Sequence, residues 1–335
     1  MFFKDKKILI IGGTGTIGQS LVRKILEEQP KVIRIYSRDE FKQFELAHRL
    51  KHVEDRLRFL IGDVRNYERV HSSMQDIDYV FHVAAMKHVP ACEYNPYEAV
   101  LTNIVGTHNV IKAAIAQNVK KVVFTSSDKA ISPTNIYGAT KLAAEKLVIS
   151  AEYSKGTSGT IFSMVRFGNV MGSRGSVIPL FRQQILESMK VTVTDLSMSR
   201  FMMTLNQATS LTIRSMQESK GGEIFVLKMP VIFLRDLVTA VIEETCKIYG
   251  IDTANVQMEE IGLRSGEKKF EELMTYEESE SAWELPDMFI IPSKFRSSHQ
   301  YPSAIKSTPK EYDSQSEQPI SLEEVRRLIL DEKII

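Results

Sequence analysis

A glycine-rich turn near residue 12 constrains the fold more strongly than any other feature of the sequence. The turn reads Gly12-Gly13-Thr14-Gly15-Thr16-Ile17-Gly18, and it separates an apolar run, Lys7 to Ile11, from an amphipathic segment that extends from about Gln19 to Glu28. Glycines at this spacing allow a tight turn, a close approach of the backbone to a pyrophosphate, and close packing of a helix on a strand. The sequence therefore predicts a dinucleotide-binding unit, with contacts from Gly12, Thr14, Gly15, Thr16, Ile17 and Gly18.

Beyond this turn, short apolar runs alternate with helical segments. The runs that indicate strands are Val32–Tyr36, Leu57–Ile61, Tyr79–Val83, Val122–Phe124 and Thr160–Arg166. This alternation predicts an α/β fold with a doubly wound parallel (Rossmann) sheet and a smaller C-terminal substrate-binding domain. We expect the Rossmann domain over 1–170, with a returning segment near 192–227, and an interleaved substrate-binding region over 171–335.

The second predicted strand ends in Ser37-Arg38-Asp39-Glu40, which bears on the choice of cofactor. An NAD site places an acidic side chain there to hold the ribose 2′-hydroxyl, whereas a 2′-phosphate favours hydroxyl and guanidinium groups. Ser37 and Arg38 occupy that position and favour NADP over NAD. The alternative is that Arg38 lies on a solvated loop and that Asp39 or Glu40 binds the ribose.

The fourth predicted strand leads into Ala84-Ala85-Met86-Lys87-His88. The two alanines let the backbone come close to the cofactor, and Lys87 points beyond it toward the substrate. His88 is followed closely by a loop proline, Pro90, and we assign it no catalytic role.

A second polar stretch follows the strand at Val122–Phe124 and contains Ser126, Ser127, Tyr137 and Lys141. Tyr137 and Lys141 are four residues apart on a predicted helix and therefore share one face. An ammonium at this distance lowers the pKa of a phenol and can hydrogen-bond a ribose. A tyrosine tuned in this way can accept a hydroxyl proton as hydride leaves the same carbon.

The glycine turn, the serine and the Tyr137–Lys141 pair together resemble the short-chain dehydrogenase/reductase superfamily, in its extended branch that modifies nucleotide sugars. The resemblance covers nearly the whole chain. It implies that Ser127, Tyr137 and Lys141 are catalytic, that Tyr137 and Lys141 also contact the cofactor, and that Asp63 and Val64 flank the adenine. It further implies a cytoplasmic homo-oligomer, a dimer or a hexamer.

The loop from Phe167 to Pro179 closely resembles the substrate loop of UDP-N-acetylglucosamine 4,6-dehydratases that invert C5. Val191–Thr194, Arg200–Met202 and Arg264–Lys269 follow in the order of that family. A glycine- and serine-rich loop at the carboxyl end of a strand is where an α/β protein binds its second ligand. The substrate-binding residues that we expect are Lys87, Asn169, Arg174, Ser176, Val177, Thr194, Arg200, Arg264 and Glu267.

Asp128 and Lys129, directly after Ser127, decide which reaction we expect. A 4,6-dehydratase needs an additional base at C5 and an additional acid for the C6 hydroxyl, beyond what a reductase or an epimerase needs. The resemblance is to the inverting enzymes, in which this pair is Asp-Lys. We expect burial to lower the pKa of Lys129, which would act as the C5 base, with Asp128 as the acid. The alternative is a local ion pair on a loop.

The resemblance, together with these residues, implies a hydro-lyase that oxidises C4 of UDP-N-acetylglucosamine, eliminates water across C5 and C6, and returns the hydride internally. It implies C5 inversion as the preferred outcome and a role in surface-polysaccharide or glycan synthesis. A product with inverted C5, a product with retained C5 and a 5,6-unsaturated sugar remain open. Two other classes also remain open. A sensor or scaffold without turnover typically lacks the tyrosine or the lysine, and a 4-epimerase or 4-reductase does not need Asp128 and Lys129.

Composition limits the partners. A formal net charge of +1 offers no global field for nucleic acid or a membrane surface, and the two cysteines, Cys92 and Cys246, have no metal-ligand spacing. We therefore expect no metal, no nucleic acid and no membrane, since no apolar stretch approaches the ~20 residues of a span. From about Tyr276 the composition predicts a partly irregular tail, most polar from Ser307 to Gln318. Ser321 and Glu324 predict a capped helix to Asp331.

Overall fold

The computed structural model describes residues 1–173, 175–293, 301–332 and 334–335. The strands are β1 Lys7–Ile11, β2 Val32–Ser37, β3 Leu57–Ile61, β4 Tyr79–His82, β5 Lys121–Thr125, β6 Ile161–Arg166, β7 Asn169–Val170, β8 Lys190–Val193, β9 Ser199–Met203, β10 Ile224–Leu227, β11 Val231–Phe233, β12 Gln257–Glu260, β13 Glu272–Met274, β14 Trp283–Glu284, β15 Met288–Ile291, β16 Ile305–Lys306 and β17 Tyr312–Asp313. The helices are α1 Thr16–Leu26, α2 Glu40–Arg49, α3 Tyr67–Ser73, α4 Val89–Tyr94, α5 Pro96–Val100, α6 Gly106–Ala116, α7 Ile136–Ser154, α8 Val177–Ser188, α9 Leu205–Glu218, α10 Leu234–Tyr249, α11 Tyr276–Ser281 and α12 Leu322–Asp331.

The central sheet has the strand order β16-β14-β15-β10-β6-β5-β4-β1-β2-β3. Strands from β3 to β10 in this order pair in parallel, and β15, β14 and β16 add an antiparallel edge. The order reverses between β1 and β4, which creates a crevice at the carboxyl ends of these strands. The predicted α/β fold with a doubly wound sheet is therefore confirmed.

Apolar, β-branched strands explain why the sheet is buried on both faces. The four residues of β4 are all buried, and so are four of the five residues of β1. Helices pack in two groups, α3 and α7 against α6, and α1 against α9, as expected when crossovers cover both faces of a parallel sheet. The result is one continuous core that extends from Phe3 to Tyr312.

A second core lies in the C-terminal part of the chain. Helices α8 and α12 both pack against α10, and β8 pairs in parallel with β12. Ile185, Leu237, Val241 and Ile329 are fully buried among these elements. The predicted domain boundaries stay a prediction, but a separate core in this region is consistent with an appended unit.

The returning part of the chain differs in detail from the expected segment near 192–227. Helix α9 and strand β10 lie on the central sheet, whereas β8 belongs to the second core. Strands β14, β15 and β16 also join the central sheet, as an antiparallel edge that we did not predict. Four apolar residues in a row, Met288 to Ile291, are its main sequence signal.

The segment from Ser307 to Gln318 contains only the short strand β17, yet several of its side chains have buried partners. Tyr312 is only 4% exposed; its ring lies 4.7 Å from that of Phe201, and its hydroxyl accepts a hydrogen bond from the backbone N–H of Met229 at 2.8 Å. Ser314 and Ser199 share a hydrogen bond of 2.9 Å. Composition does not reveal partners that lie more than 80 residues away. Residues 294–300 of the expected tail lie outside the described residues.

The predicted helix ends are close to those observed. Helix α12 has the predicted capping box of Ser321 and Glu324. Helix α1 begins at Thr16, three residues before the expected start, because Gly18 belongs to its first turn. A π turn over Leu101–Val105 separates α5 from α6.

A buried ion network joins the helix that contains Tyr137 and Lys141 to the C-terminal segment. The Arg166 guanidinium donates to Glu145 of α7 at 2.9 and 2.8 Å and to Glu278 of α11 at 2.7 and 2.8 Å. The Arg166 side chain is 3% exposed and that of Glu145 is 2% exposed. Removing one partner would leave the other charge buried without compensation.

We predict that Arg166→Met lowers the free energy of unfolding by about 3–5 kcal/mol, the usual cost of an unpaired buried charge. Arg214→Met is the matched control, because Arg214 pairs with Asp287 at the surface and its removal should cost at most about 1 kcal/mol. Urea denaturation of both variants measures the difference. Equal losses would show that the network contributes no more than a surface pair.

Candidate active site

The glycine turn forms a cradle that no larger residue could form. Gly12 has a φ of +89°, and a Cβ atom there would lie 2.7 Å from the backbone nitrogen of Ala84. A Cβ at Gly18 would overlap the carbonyl oxygen of Gly12, so the start of α1 and the end of β1 are in direct backbone contact. The N-terminus of α1 opens at Gly15, where backbone N–H groups and the helix dipole favour phosphate. These residues fit a dinucleotide pyrophosphate.

A cleft of about 750 Å³ extends from this turn to α7. It is within the size range of cofactor and substrate sites. The structure places most of the predicted cofactor residues on its wall, namely Gly12, Thr14, Gly15, Thr16, Ile17, Gly18, Ser37, Arg38, Val64, Ala84, Ala85, Lys87, Tyr137 and Lys141. Asp63 is the exception, because its carboxylate binds Arg65 at 2.7 Å beside the cleft.

The far end of the cleft is where a 2′-hydroxyl or 2′-phosphate would lie. Ser37, Arg38, Asp39 and Lys42 line it. The Arg38 side chain is 62% exposed, and its guanidinium lies 3.7 Å from the Asp63 carboxylate. Asp39 caps α2 by accepting a hydrogen bond from the backbone N–H of Lys42 at 2.9 Å, and it also pairs with the Lys42 ammonium. The Asp39 carboxylate is therefore already engaged with Lys42.

The polar stretch from Ser126 to Lys141 forms a one-turn 3-10 helix and then the start of α7. Ser127 caps the short helix Asp128–Ala130, and Asn135 caps α7 by accepting from the backbone N–H of Gly138 at 2.8 Å. A Cβ atom at Gly138 would overlap the carbonyl oxygen of Lys129. This close contact brings Tyr137 to the Asp128–Lys129 turn. The requirement for glycine beside Tyr137 is a signal that sequence reasoning missed.

Asn103 ties the loop after β4 to the same helix. Its amide accepts from the backbone N–H of Met86 at 2.9 Å, and it donates to the Met86 carbonyl at 2.9 Å and to Thr140 at 3.0 Å. Asn103 lies in the π turn, a feature that occurs often at functional sites. Its side chain thus joins two walls of the cleft.

Tyr137 and Lys141 both lie on the cleft wall, and burial is the main influence on the pKa of each. Burial raises the pKa of Tyr137 to about 12, and the groups that oppose this rise are Ser127 and the Lys129 ammonium. Lys141 donates to the carbonyl of Thr125 at 2.8 Å. Burial lowers its pKa to about 8, although Glu145 opposes the shift. The expectation that the Lys141 charge lowers the phenol pKa therefore stays a prediction.

The pKa of Lys129 differs from the expectation. Its ammonium lies 3.2 Å from both carboxylate oxygens of Asp128 and 3.2 Å from Oε1 of Glu271. Burial alone would lower the pKa of Lys129, but the two carboxylates outweigh it and raise this pKa above its ordinary value. Lys129 is thus held as a cation, whereas the sequence led us to expect a lowered pKa.

Glu271 is a site residue that sequence reasoning missed. It directly follows the charged run Arg264–Lys269 and Phe270, and nothing in that run distinguishes it from its neighbour Glu272. Only the fold reveals its position, because it approaches Lys129 from a segment 142 residues further along the chain. A contact of this kind leaves no local pattern.

The predicted substrate-binding residues fall into three groups. Lys87, Asn169 and Ser176 line the cleft. Arg200 and Glu267 line an adjoining cavity of about 170 Å³, which shares Val89, Lys129 and Asn169 with the cleft. Val177, Thr194 and Arg264 line neither cavity. Arg174 lies outside the described residues.

Several of these side chains already have protein partners. The Arg200 guanidinium donates to the carbonyls of Lys268 at 2.7 Å and Lys269 at 3.1 Å, and so fixes the segment before Glu271. The Thr194 hydroxyl donates to the sulfur of Met198 at 3.2 Å. Burial lowers the pKa of Lys87, and the charge of Lys129 adds to this effect.

Among the described residues, no group of three or more acidic, histidine or cysteine side chains is arranged to hold a metal ion. Over the same residues, no helix is both long and apolar enough to cross a bilayer.

Comparison with known proteins adds an independent line of support. The sequence matches the family described as polysaccharide biosynthesis protein over residues 8–293. An inverting UDP-N-acetylglucosamine 4,6-dehydratase of Campylobacter jejuni is 42% identical over 291 residues, which are 86% of this chain and 83% of the relative. A UDP-glucose 4-epimerase of Rickettsia canadensis is 39% identical over 337 residues, which are 98% of this chain and 96% of the relative.

A solved structure is similar over its whole length. The X-ray structure of Pen from Bacillus thuringiensis has a TM-score of 0.96 and 63% sequence identity, and the match covers 100% of both chains. The arrangement of elements described above is thus that of an experimentally determined relative.

Proposed function

Because this chain belongs to the polysaccharide biosynthesis protein family, within the extended short-chain dehydrogenases/reductases, we propose that it is a UDP-N-acetylglucosamine 4,6-dehydratase. The observation that carries this proposal is the position of the Asp128–Lys129 pair in the same cleft as Tyr137 and Lys141. A site for C4 oxidation alone would need only the second pair. The similarity to the dehydratase of Campylobacter jejuni supports the same reading.

The cofactor that we propose is NADP, held by the glycine cradle, Ser37 and Arg38. When bound, the nicotinamide group supplies a reversible store for one hydride. Support for NADP over NAD comes from Arg38, which is exposed at the far end of the cleft, and from Asp39, which is engaged as a helix cap. A guanidinium suits a 2′-phosphate, whereas a carboxylate that already caps a helix is poorly placed to accept a hydrogen bond from a ribose hydroxyl.

In the first step that we propose, Tyr137 accepts the proton of the C4 hydroxyl. The phenolate required for this is stabilised by the Ser127 hydroxyl and by the Lys129 cation, the two groups that lower the Tyr137 pKa. Lys141, whose ammonium is fixed by the Thr125 carbonyl, is placed to hydrogen-bond the cofactor ribose. Both side chains come from the first two turns of α7.

In the second step, Lys129 and Asp128 act on C5 and C6. A proton passes from the Lys129 ammonium to the Asp128 carboxylate across their 3.2 Å contact, which yields an amine and a carboxylic acid. The amine then accepts the C5 proton, and the acid protonates the departing C6 hydroxyl, which leaves as water. The pair ends this step as the same ion pair with which it began. When the hydride returns to C6, C5 takes up one proton, which balances the proton that Tyr137 accepted from the C4 hydroxyl, so the proton count closes over one turnover.

The product that we propose has inverted configuration at C5 and a 4-keto group. A 4-keto product with retained C5 and a 5,6-unsaturated sugar both require the same loss of water. A 4-epimerase is the second candidate, because the epimerase of Rickettsia canadensis matches nearly the whole chain. Epimerisation would leave Asp128 and Lys129 without a catalytic role.

Incubation of the purified protein with UDP-N-acetylglucosamine tests the proposal. We expect the sugar to lose one water without accumulation of reduced cofactor, because the hydride taken from C4 is returned within the same site. Mass spectrometry and absorbance of reduced nicotinamide measure the two quantities. An unchanged mass with altered configuration would indicate an epimerase, and one reduced cofactor per turnover a simple dehydrogenase.

We predict that Arg38→Ala weakens NADP binding by about 10- to 100-fold, the effect of losing a hydrogen bond of about 1.5–3 kcal/mol to a charged group. Binding of NAD should change little, because NAD has no 2′-phosphate. Arg58→Ala, an exposed arginine on β3 outside the cleft, is the control. Titration of both cofactors measures the ratio, and equal weakening of both would contradict the NADP assignment.

We predict that Lys129→Ala stops elimination and slows C4 oxidation without abolishing it, because Ser127 still stabilises the Tyr137 phenolate. A 4-keto sugar and reduced cofactor should therefore accumulate in a single turnover. Solvent deuterium should no longer enter at C5, because the base that exchanges this proton is absent. Lys120→Ala, which breaks an exposed pair with Asp78, is the control and should cost at most about 1 kcal/mol of stability. Near-normal deuterium incorporation in Lys129→Ala would remove Lys129 from the mechanism.

A further inference from the structure

Glu271 stands opposite Asp128 across the Lys129 ammonium. It is 2% exposed; its Oε1 lies 3.2 Å from Lys129 Nζ and 3.7 Å from Arg200 Nε. Its other oxygen, Oε2, is buried and has no hydrogen-bond partner among the residues that the structure describes. A buried carboxylate with one unpaired oxygen is costly, so its presence beside a catalytic pair needs an explanation.

The backbone holds Glu271 rigidly in this position. Its N–H donates to the Ser314 hydroxyl at 2.9 Å, and its carbonyl accepts from the Ser314 N–H at 2.8 Å. The residue immediately precedes β13, which pairs with β17. The carboxylate is therefore part of a built site, and it lines the 170 Å³ cavity next to the cleft.

Asp128 holds the ammonium from the other side with a different set of bonds. Its Oδ1 accepts from the Ser127 hydroxyl at 2.7 Å, from the Lys129 N–H at 2.9 Å and from Lys129 Nζ at 3.2 Å. Its Oδ2 accepts from Lys129 Nζ at 3.2 Å. The Lys129 ammonium thus contacts two carboxylates. Asp128 lines the cleft, whereas Glu271 lines the adjoining cavity.

We propose that Glu271 is a positioning residue for the elimination step, which holds the Lys129 ammonium opposite Asp128 and sets how readily Lys129 gives up its proton. The cation held in this way also faces Tyr137 and favours the phenolate that C4 oxidation requires. The catalytic meaning of this proposal depends on the proposed function. The electrostatic relation between Glu271 and Lys129 does not.

The sign of the effect follows from the groups around Lys129. The charged and titratable side chains that face it are Asp128 on its own turn, Lys87 after β4, Tyr137 on α7, Arg200 on β9 and Glu271. Two carboxylates favour the cation, and two cations oppose it. Replacing Glu271 by a neutral side chain removes one of the favourable charges, so the pKa of Lys129 must fall.

The test is a titration of Lys129 by NMR in protein labelled with ¹³C at lysine Cε, with the signal assigned by its loss in Lys129→Arg. In Glu271→Gln we expect the Lys129 titration to move to lower pH by about one unit or more, as for loss of an opposite charge at this distance. Glu272→Gln is the matched control, because Glu272 pairs with Lys268 and not with Lys129. An unchanged titration in folded Glu271→Gln would overturn the proposal.

Glu271→Asp keeps the test decisive if the glutamine variant does not fold. It retains the charge but withdraws it by one methylene, so the Lys129 titration should move in the same direction by a smaller amount. No movement in this variant would also overturn the proposal.

The activity measurement is the rate of deuterium exchange at C5 as a function of pH. We expect its rising limb in Glu271→Gln to move to lower pH by the same amount as the NMR titration, which a purely structural role would not cause. A limb that stays in place while Lys129 shifts would overturn the catalytic part of the proposal. If the wild-type protein does not dehydrate UDP-N-acetylglucosamine at all, the proposed function fails, and the NMR titration still judges Glu271.

Discussion

The site depends on backbone pairing that continues beyond the ends of β5 and β6. The N–H of Ser126 donates to the carbonyl of Val165 at 2.7 Å, and the N–H of Asp128 donates to the carbonyl of Phe167 at 2.8 Å. The turn that contains Asp128 and Lys129 is therefore an extension of the central sheet and not a free loop. Helix α7 packs against this turn at Gly138, and this contact fixes the position of Tyr137 relative to the turn. Groups held in this way lose little entropy when they act together.

Charge compensation explains why a cation can be buried at this point. The four side chains that these ion pairs join are balanced, with Asp128 and Glu271 as the carboxylates and Lys129 and Arg200 as the cations. A buried charge without such partners would neutralise itself or destabilise the fold. Balance also means that removing any member changes the proton affinity of the others.

Local patterns were the part of this protein that sequence could predict. The glycine cradle and the Tyr137–Lys141 pair depend on residues a few positions apart, and both lie in the cleft as predicted. The Asp128–Lys129 pair was also found, but its charge state was not, because that depends on Glu271. The burial of Tyr312 and Ser314 could not be predicted for the same reason, since their partners at Met229 and Ser199 are distant in sequence. Composition and periodicity depend on the residues of one segment, whereas protonation and burial also depend on residues that are distant in sequence.

The shared cation gives the proposed reaction an order. While Lys129 keeps its proton, it stabilises the Tyr137 phenolate and so favours oxidation at C4. Once the proton has passed to Asp128, the Lys129 charge and the smaller opposing effect of the Asp128 charge are both gone, and Tyr137 holds the proton taken from the C4 hydroxyl more strongly. Reduction at C4 would require Tyr137 to give this proton back, so it is disfavoured just when the amine and the acid needed for elimination are present. One lysine between two carboxylates therefore directs the 4-keto sugar toward loss of water and away from return of hydride to C4, the step on which an epimerase depends.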